Sequence, residues 1–559
     1  MFFPKHYDRV RQTVIPKLFN IRIFLIVMGK TITIDIDDEP FAAVAADTVR
    51  IGKQALVFVS SRRSAEKSSE KVASALRKIK FEPNKDLEEL SHSILHALST
   101  PTKQCERLAA VVKQGTAFHH SGLNNKQRSL VEEGFRKGII RVICATPTLA
   151  AGVDLPSFRT IMKDVKRYTG RGMDYIPVLE YMQMAGRSGR PSYDDHGEAI
   201  LLASTDNDKN SLEERYINGD PEEIYSKLAA EPALRMHVLS LFAMETVSSE
   251  SDLLEFISGT FYAFQFSNIE RIRLILKRII GFLTDNGFLE DETKPKKDSE
   301  AEDLFISAKE LYDSNDSRIK ATTLGIRISK LYLDPLSASI IIKGLKTADD
   351  SKIAGLFSII HLLSSCLELR PYPSVRKGDY DLLEETEAKH YDSLLSRETL
   401  GLDSDYDLSF SILKLTMAFM EWLDEKDENY LYEQYGITPG DFYGKLQIMD
   451  WLCYCSSEIS NILGMRENLR IMQKVRRLLK YGVNEELLQL VSIKNIGRKR
   501  ARLLYNNNIR SVSDIRQSSL SKLSSLLGEK TARSIRKMVE TKEDEKNLKF
   551  DDKHFQKKL

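Results

Sequence analysis

Two guanidiniums carry the strongest chemical signal in the chain. In the run EYMQMAGRSGR, Gln183, Arg187 and Arg190 stand at i, i+4 and i+7. On a helix that spacing makes one polar stripe with both arginines aimed the same way. A guanidinium suits phosphate because its planar fork donates two parallel hydrogen bonds and keeps its charge. Upstream, RVICATPTLAAGVDLP opens as a buried strand, Val142 to Ala145, and runs into a loop of small residues and hydroxyls. α/β folds place ligands at such a carboxyl edge of a parallel sheet. GRSGR alone would read equally well as a salt-bridged surface helix; the two halves together predict a phosphate site.

The elements that must position these groups are legible nearby. ALVFVSSRRSAEKSSEKVASAL gives an apolar strand, Ala55 to Val59, a polar turn with Ser60, Arg62 and Arg63, and an amphipathic helix, which is how one unit of a parallel sheet begins. Ser60 and its neighbours serve either as a helix-capping turn or as a contact for a ligand at the strand end. GTAFHHSGLNNKQRSLVEEGF ends a strand at His119-His120 and places Arg128 on the next helix. Adjacent histidines on a strand point to opposite faces, so a hydrogen-bonded structural pair is expected rather than a metal site. In MKDVKRYTGRGMDYIP two extended arms flank Thr169-Gly170-Arg171-Gly172, the turn chemistry of a β-hairpin.

Composition bounds the rest. At 559 residues and 42% hydrophobic content, several packed cores are expected. Net charge is +2, so a nucleic-acid surface must come from local clustering of the 82 Lys and Arg. Five scattered cysteines, of which only Cys453 and Cys455 are close, argue against a disulfide framework or zinc site and fit a reducing cytoplasm. No apolar run reaches the ~18 residues needed to span a bilayer.

TPTLAAGVDLP resembles motif V, and QMAGRSGRP motif VI, of superfamily 2 helicases. The QMAGR form is similar to the Ski-type branch, and most like the archaeal DNA helicases related to the helicase part of polymerase theta. The resemblance runs from about Gln54 onward. It implies an α/β RecA-like lobe on a parallel sheet, followed by mainly α winged-helix, helical ratchet and helix-hairpin-helix domains. It implies that Arg187 and Arg190, placed with help from Gln183, reach the γ-phosphate of ATP, where an arginine finger stabilises transition-state charge. Gly152 and Asp154 would face the nucleotide, with Asp154 coupling it to DNA. Ser60, Arg62, Arg63, Arg128, Thr146 and Thr148 would contact the DNA backbone, and Arg167, Tyr168 and Arg171, beside Lys166, would form a pin that splits the duplex.

After Ala203 the α/β pattern gives way to helices, with Ala233 to Val247, Ser251 to Phe264 and Ile269 to Asn286 expected as three, the last ended by Gly287. Farther on, Pro439 and Asp441 start a helix with Trp451 in its middle, where the family stacks a base; such stacking is worth ~1 to 3 kcal/mol and ignores sequence. A core tryptophan is the alternative. The relatives' arginine one heptad earlier is Gly444 here, leaving Lys445 to take over. Arg470, Lys474, Arg476, Arg477 and Lys480 make a basic helix end. LQLVSIKNIGRKRARLLYNNNI then fits a helix-hairpin-helix, with Asn495 where the first glycine usually stands, Gly497 at the turn, and Arg498, Lys499, Arg500 and Arg502 adding charge for phosphate.

The expected domains are a remnant or linker from a first lobe (1–40), the second RecA-like lobe (41–205), a winged-helix domain (206–292), a charged linker (293–303), the ratchet domain (304–483), the helix-hairpin-helix domain (484–541) and a charged tail (542–559). Met28-Gly29-Lys30-Thr31 mimics a phosphate loop, but Phe24 stands where that loop wants glycine, and no DExH box occurs. The family's first lobe is therefore not expected within these residues, and ATP and Mg2+ are expected to be bound mainly by that lobe, separately encoded or lost by truncation. The reading is the C-terminal portion of a 3′-5′ helicase on forked or single-stranded DNA in replication-linked repair, with a single-strand-binding protein as a further partner and neither membrane nor metal site. The alternatives are a non-catalytic fork-binding protein and a Ski-type RNA helicase fragment.

Overall fold

The computed structural model describes residues 10–16, 23–27, 30–34, 39–98, 100–150, 155–168, 172–189, 194–203, 205–292, 317–351, 355–395 and 406–540. The chain divides into two compact units: residues 1–224 with 428–433 and 437–443, and residues 225–427 with 434–436 and 444–559.

The first unit is an α/β lobe. Its six-stranded sheet has the order β1-β10-β7-β4-β6-β5, with β1 Val10–Pro16, β4 Ala55–Phe58, β5 Thr116–His119, β6 Val142–Ala145, β7 Arg159–Met162 and β10 Gly197–Ala203. All pairings in this sheet are parallel. β4, β5, β6, β7 and β10 are buried along their whole length, as expected of strands covered by helices on both faces. The covering helices include α1 Pro40–Arg50, α2 Arg62–Lys78, α3 Lys85–Leu95, α4 Lys103–Val112 and α5 Asn125–Arg136. Two differ from the sequence-based domain limits: β1 joins the sheet from residues assigned to a remnant, and β2 Ile23–Val27 pairs antiparallel with β3 Lys30–Ile34. Lys30 and Thr31 thus lie in a strand, not in a phosphate loop leading to a helix.

Polar side chains lock the lobe. Arg159 is 2% exposed; its guanidinium is bonded to Glu198, to Asp47 at 2.7 Å and to Thr48 at 3.2 Å. His119 meets Glu132 on α5 at 2.9 Å, and His120, one residue on, meets Glu66 on α2 at 3.4 Å. The two rings do face opposite ways, each on its own carboxylate. Burial holds His119 below its ordinary value against the opposing pull of Glu132. Burial pushes the Glu66 carboxyl up, but hydrogen bonds from His120 and Gln104 outweigh it and leave it below the usual range.

The second unit is mainly helical. Helices Glu231–Ala243, Glu250–Ser258, Phe261–Phe266 and Ile269–Asp285 precede a two-stranded antiparallel pair, β11 Leu289–Asp291 with β12 Ile319–Ala321. The single helix expected over 251–264 is broken at Gly259, and Thr260 caps its continuation through the Ala263 N–H. The expected linker 293–303 and tail 542–559 lie outside the described residues. Arg235 and Asp334, both buried, form a forked pair at 2.8 to 3.1 Å. Long helices follow, among them Tyr406–Leu423, Pro439–Ile462 and Arg466–Tyr481, then a run of short ones from Leu488 to Glu540. Among the described residues no helix is long and apolar enough to cross a membrane.

Candidate functional site

The register of the parallel sheet aligns the candidate residues of the lobe. Phe58 of β4 stands beside Ala145 of β6, so Ser60 and Thr146 emerge at one carboxyl edge. Thr146 is buried and shares a hydrogen bond of 2.9 Å with the exposed Thr148. The N–H and hydroxyl of Ser60 donate to Asp164 at 3.4 Å, and Ser64 donates to the same oxygen at 3.3 Å. Ser61, not Ser60, caps α2.

The three arginines of this edge have different fates. Arg63 is exposed. Arg62 is clasped: it forks onto Asp441 and donates to Ser121 at 2.9 Å. Asp441 belongs to the same compact unit, where Gly440 donates to the Gly122 carbonyl at 3.0 Å. A Cβ on Gly440 would lie 2.2 Å from the Ser121 oxygen, so only glycine permits the approach. The fork of Arg62, expected to meet the DNA backbone, is occupied here by a carboxylate. Arg128 bonds Asn125 on its own helix and keeps a buried Nε that makes no hydrogen bond.

Motif VI departs from the expected stripe. The helix α6 Val178–Ala185 stops before the first arginine, so Gln183 and Arg187 do not share a helical face. The physical cause is the chain beyond Gly186. Ser188 bridges Ser157, with Ser157 N–H on the Arg187 carbonyl at 2.8 Å and Gly189 N–H on the Ser157 carbonyl at 2.6 Å. Gly189 takes φ +86°, and its neighbour Gly197 leaves no room for a Cβ, which would fall 2.3 Å from the Gly189 nitrogen. Gln183 is exposed, while Arg187 is half-buried with Nε 3.1 Å from the Ala150 carbonyl and Nη2 also on that oxygen. That carbonyl closes the hydroxyl-rich turn after β6, so motif VI is keyed onto motif V. Gly152, Asp154, Arg171 and Arg190 lie outside the described residues.

The two arms of the expected hairpin pair: β8 Lys166–Tyr168 runs antiparallel to β9 Met173–Tyr175. Lys166 sits 4.3 Å from the centre of the Tyr175 ring, and the exposed Arg167 pairs with Glu180 at 2.9 Å. Only the backbone of Tyr168 is described, opposite Met173.

In the second unit Trp451 is half-buried in the middle of Pro439–Ile462. Lys445 does not stand ready as its companion, because its ammonium donates to the carbonyls of Leu369 at 2.8 Å and Pro371 at 2.7 Å. Gly497 caps the helix Arg498–Asn506, and Asn495 takes φ +72°, the conformation anticipated for a replaced glycine. Arg498 covers the Trp422 ring at 4.0 Å and donates to the Lys426 carbonyl at 3.2 Å. Arg500 folds back on the Asn495 carbonyl at 2.8 Å. Arg502 is clamped by Glu425 and, at 2.6 Å, by Glu486, whose hydrogen bonds raise it further above the ordinary arginine range. Lys499 is exposed. Among the described residues no group of three His, Cys, Asp or Glu is placed to hold a metal ion, and all five cysteines are buried thiols.

Sequence reasoning missed the partners that decide these fates: Asp441, Asp164, the Ala150 carbonyl and Glu425. Pro439 and Asp441 read only as a helix start, and nothing in the chain marks an arginine 379 residues away as the partner.

Comparison with known proteins places these regions. Residues 95–192 match the helicase conserved C-terminal domain, residues 357–482 the archaeal helicase domain 4, and residues 487–538 a SAM-like helix-hairpin-helix tandem. The chain is 36% identical over 513 residues to the ATP-dependent DNA helicase Hel308 of Methanococcus vannielii, covering 88% of this chain and 66% of that protein. Its counterpart in Pyrococcus horikoshii is 36% identical over 472 residues, covering 84% and 61%. That of Caldivirga maquilingensis is 32% identical, covering 88% and 64%.

Proposed function

The chain belongs to the Hel308-type archaeal superfamily 2 DNA helicases, of whose curated members it spans slightly less than two thirds, and from that premise we propose that it forms the C-terminal part of an ATP-driven 3′-5′ motor on forked or single-stranded DNA in replication-linked repair. The observation that carries the reading is the keying of Arg187 onto the Ala150 carbonyl at the end of β6. It fastens the arginine-bearing loop to the turn that carries motif V, at the sheet edge where α/β folds take ligands.

ATP and Mg2+ would be held mainly by a RecA-like lobe outside these 559 residues, since this sequence has neither a phosphate loop nor a DExH box. The residues present fit the complementary half. Arg187 already donates to an oxygen acceptor, and an anionic phosphate oxygen is a stronger acceptor than a carbonyl. When bound, ATP supplies the phosphoryl chemistry. This chain's part is to bring the guanidiniums of Arg187 and Arg190 to the charge that builds there, with Gln183, Gly152 and Asp154 as further nucleotide contacts. Thr146, Thr148, Arg63 and Arg128 would touch the DNA backbone, the hairpin 166–175 would part the strands, and Trp451 would stack a base. Residues 206–292 would act as the winged-helix domain. The helix-hairpin-helix tandem favours DNA over RNA, through Gly497, Lys499 and Arg500.

The test is fork-stimulated ATPase and unwinding by the purified chain, with and without an N-terminal lobe from a close relative. Activity that requires the added lobe and disappears in Arg190→Ala and Arg187→Ala supports the motor. Tight DNA binding without activity in either case would replace it with a non-catalytic fork-binding protein.

A further inference from the structure

Between the helices Pro439–Ile462 and Arg466–Tyr481 lies a cavity of about 630 Å³. Its walls are unlike an apolar docking groove. Leu469 is its one aliphatic residue, and donors such as Asn461, Gln473, Lys474 and Arg477 dominate the rest. The only carboxylate in the lining, Glu458, is neutralised by Arg327 at 2.6 Å. Arg476 is fixed by Asp450 at 2.9 Å and lies 5.4 Å from the Tyr454 ring centre, so the aromatic wall is held before anything binds.

Two cations in this cavity are available to an anion. Arg477 is half-buried and has no ion-pair or hydrogen-bond partner among the described residues. Lys474 pairs with Glu485 at 2.5 Å, but both side chains are largely exposed, and such surface pairs exchange at little cost. The geometry also gives a direction. Trp451, Tyr454, Glu458 and Asn461 follow one another at i, i+3, i+7 and i+10 on one helical face. From Trp451 to Glu458 is about 10 Å along the axis, one or two nucleotide steps of an extended strand.

We propose that this cavity is a second contact for single-stranded DNA, in which Arg477 and Lys474 take a backbone phosphate of a strand whose base is stacked on Trp451. The proposal rests on the reading of the chain as part of a DNA motor. Its volume admits a nucleotide.

The experiment is fluorescence anisotropy of a labelled oligothymidylate with the full chain across a salt series. Arg477→Ala is expected to weaken binding about three- to tenfold and to flatten the salt slope by about 0.7, the value for one lost phosphate contact on a single strand. Arg477→Lys should restore most of the slope. Trp451→Ala should weaken binding while leaving the slope unchanged, because stacking releases no counterions. Unaltered affinity and slope in Arg477→Ala, with Trp451→Ala impaired, would overturn the cavity alone. Absence of any strand binding by the unsubstituted chain would overturn both the cavity and the motor reading. Thymidine monophosphate and inorganic phosphate serve as competitors: if either displaces the strand at micromolar concentration, the cavity is a free-phosphate site and the proposal is wrong.

Discussion

In the α/β lobe, Arg62 and Arg187, both singled out by sequence, are already held by the protein; in the helical unit, the cation best placed for a ligand is one that no other side chain holds. Arg62 is clasped by Asp441 and Ser121, Arg187 by the Ala150 carbonyl, and Arg159 by two buried carboxylates. Arg477 instead borders a polar cavity without a partner among the described residues. The difference teaches how to read a basic residue. A guanidinium in a motif near a strand end is as apt to organise the lobe as to touch a ligand, since the same fork fits carboxylate and phosphate.

The sharpest break of this comparison is Arg159→Ala. It strips the buried Glu198 of its guanidinium and leaves the buried Asp47 with Arg50 alone, at 2.6 Å, and removing one partner of such a group costs about 3–5 kcal/mol. Hydrogen exchange across β7 and β10 should accelerate, while the helices of the second unit keep their protection. Acid should do the opposite. His361 is fully buried and its imidazole is pushed down to about 4, first by burial and then by the neighbouring His390. Above the ordinary histidine value of 6.5 folded and unfolded chains are both neutral there; below it only the unfolded chain takes the proton. Stability is therefore lost as pH falls from about 6.5 to about 4, by at most roughly 3 kcal/mol from this group. An imidazole NMR titration that placed His361 near 6.5 would remove the effect. Gly440→Ala comes next: its Cβ would strike the Ser121 oxygen, and overpacking of this kind costs about 1–3 kcal/mol, read as a lower urea midpoint of the lobe.

Much of this architecture was legible because backbone rules are local. Strand β6, the start of the sheet at Ala55, the hairpin 166–175 and the turn at Asn495 follow from apolar runs and turn chemistry. The polar stripe of motif VI did not follow. Spacing at i, i+4 and i+7 predicts one face only if the helix continues, and the Gly186-Arg187-Ser188-Gly189 segment leaves it to bridge Ser157. Pairings over long separations were equally hidden: neither Arg62 with Asp441 nor Arg502 with Glu425 has any trace in local pattern. The same holds for Lys445, whose two carbonyl partners sit some 75 residues away.

The smallest expected effect tests the comparison within two adjacent residues. Arg62 and Arg63 share a strand end and a charge, and differ in whether the protein holds them. Arg62→Ala leaves Asp441 half-exposed with its Thr438 hydrogen bond at 2.8 Å intact. Because the pair is itself partly open to solvent, the loss should be about 1 kcal/mol, with little change in the salt slope of DNA binding. Arg63→Ala removes an exposed side chain and should alter stability by less than about 0.5 kcal/mol. If it meets a phosphate, the same variant lowers the single-strand salt slope by about 0.7. The two substitutions thus separate on two axes, urea midpoint and salt slope. A slope that fell with Arg62→Ala and not with Arg63→Ala would mean that DNA displaces Asp441, so that the clasp opens when the strand binds.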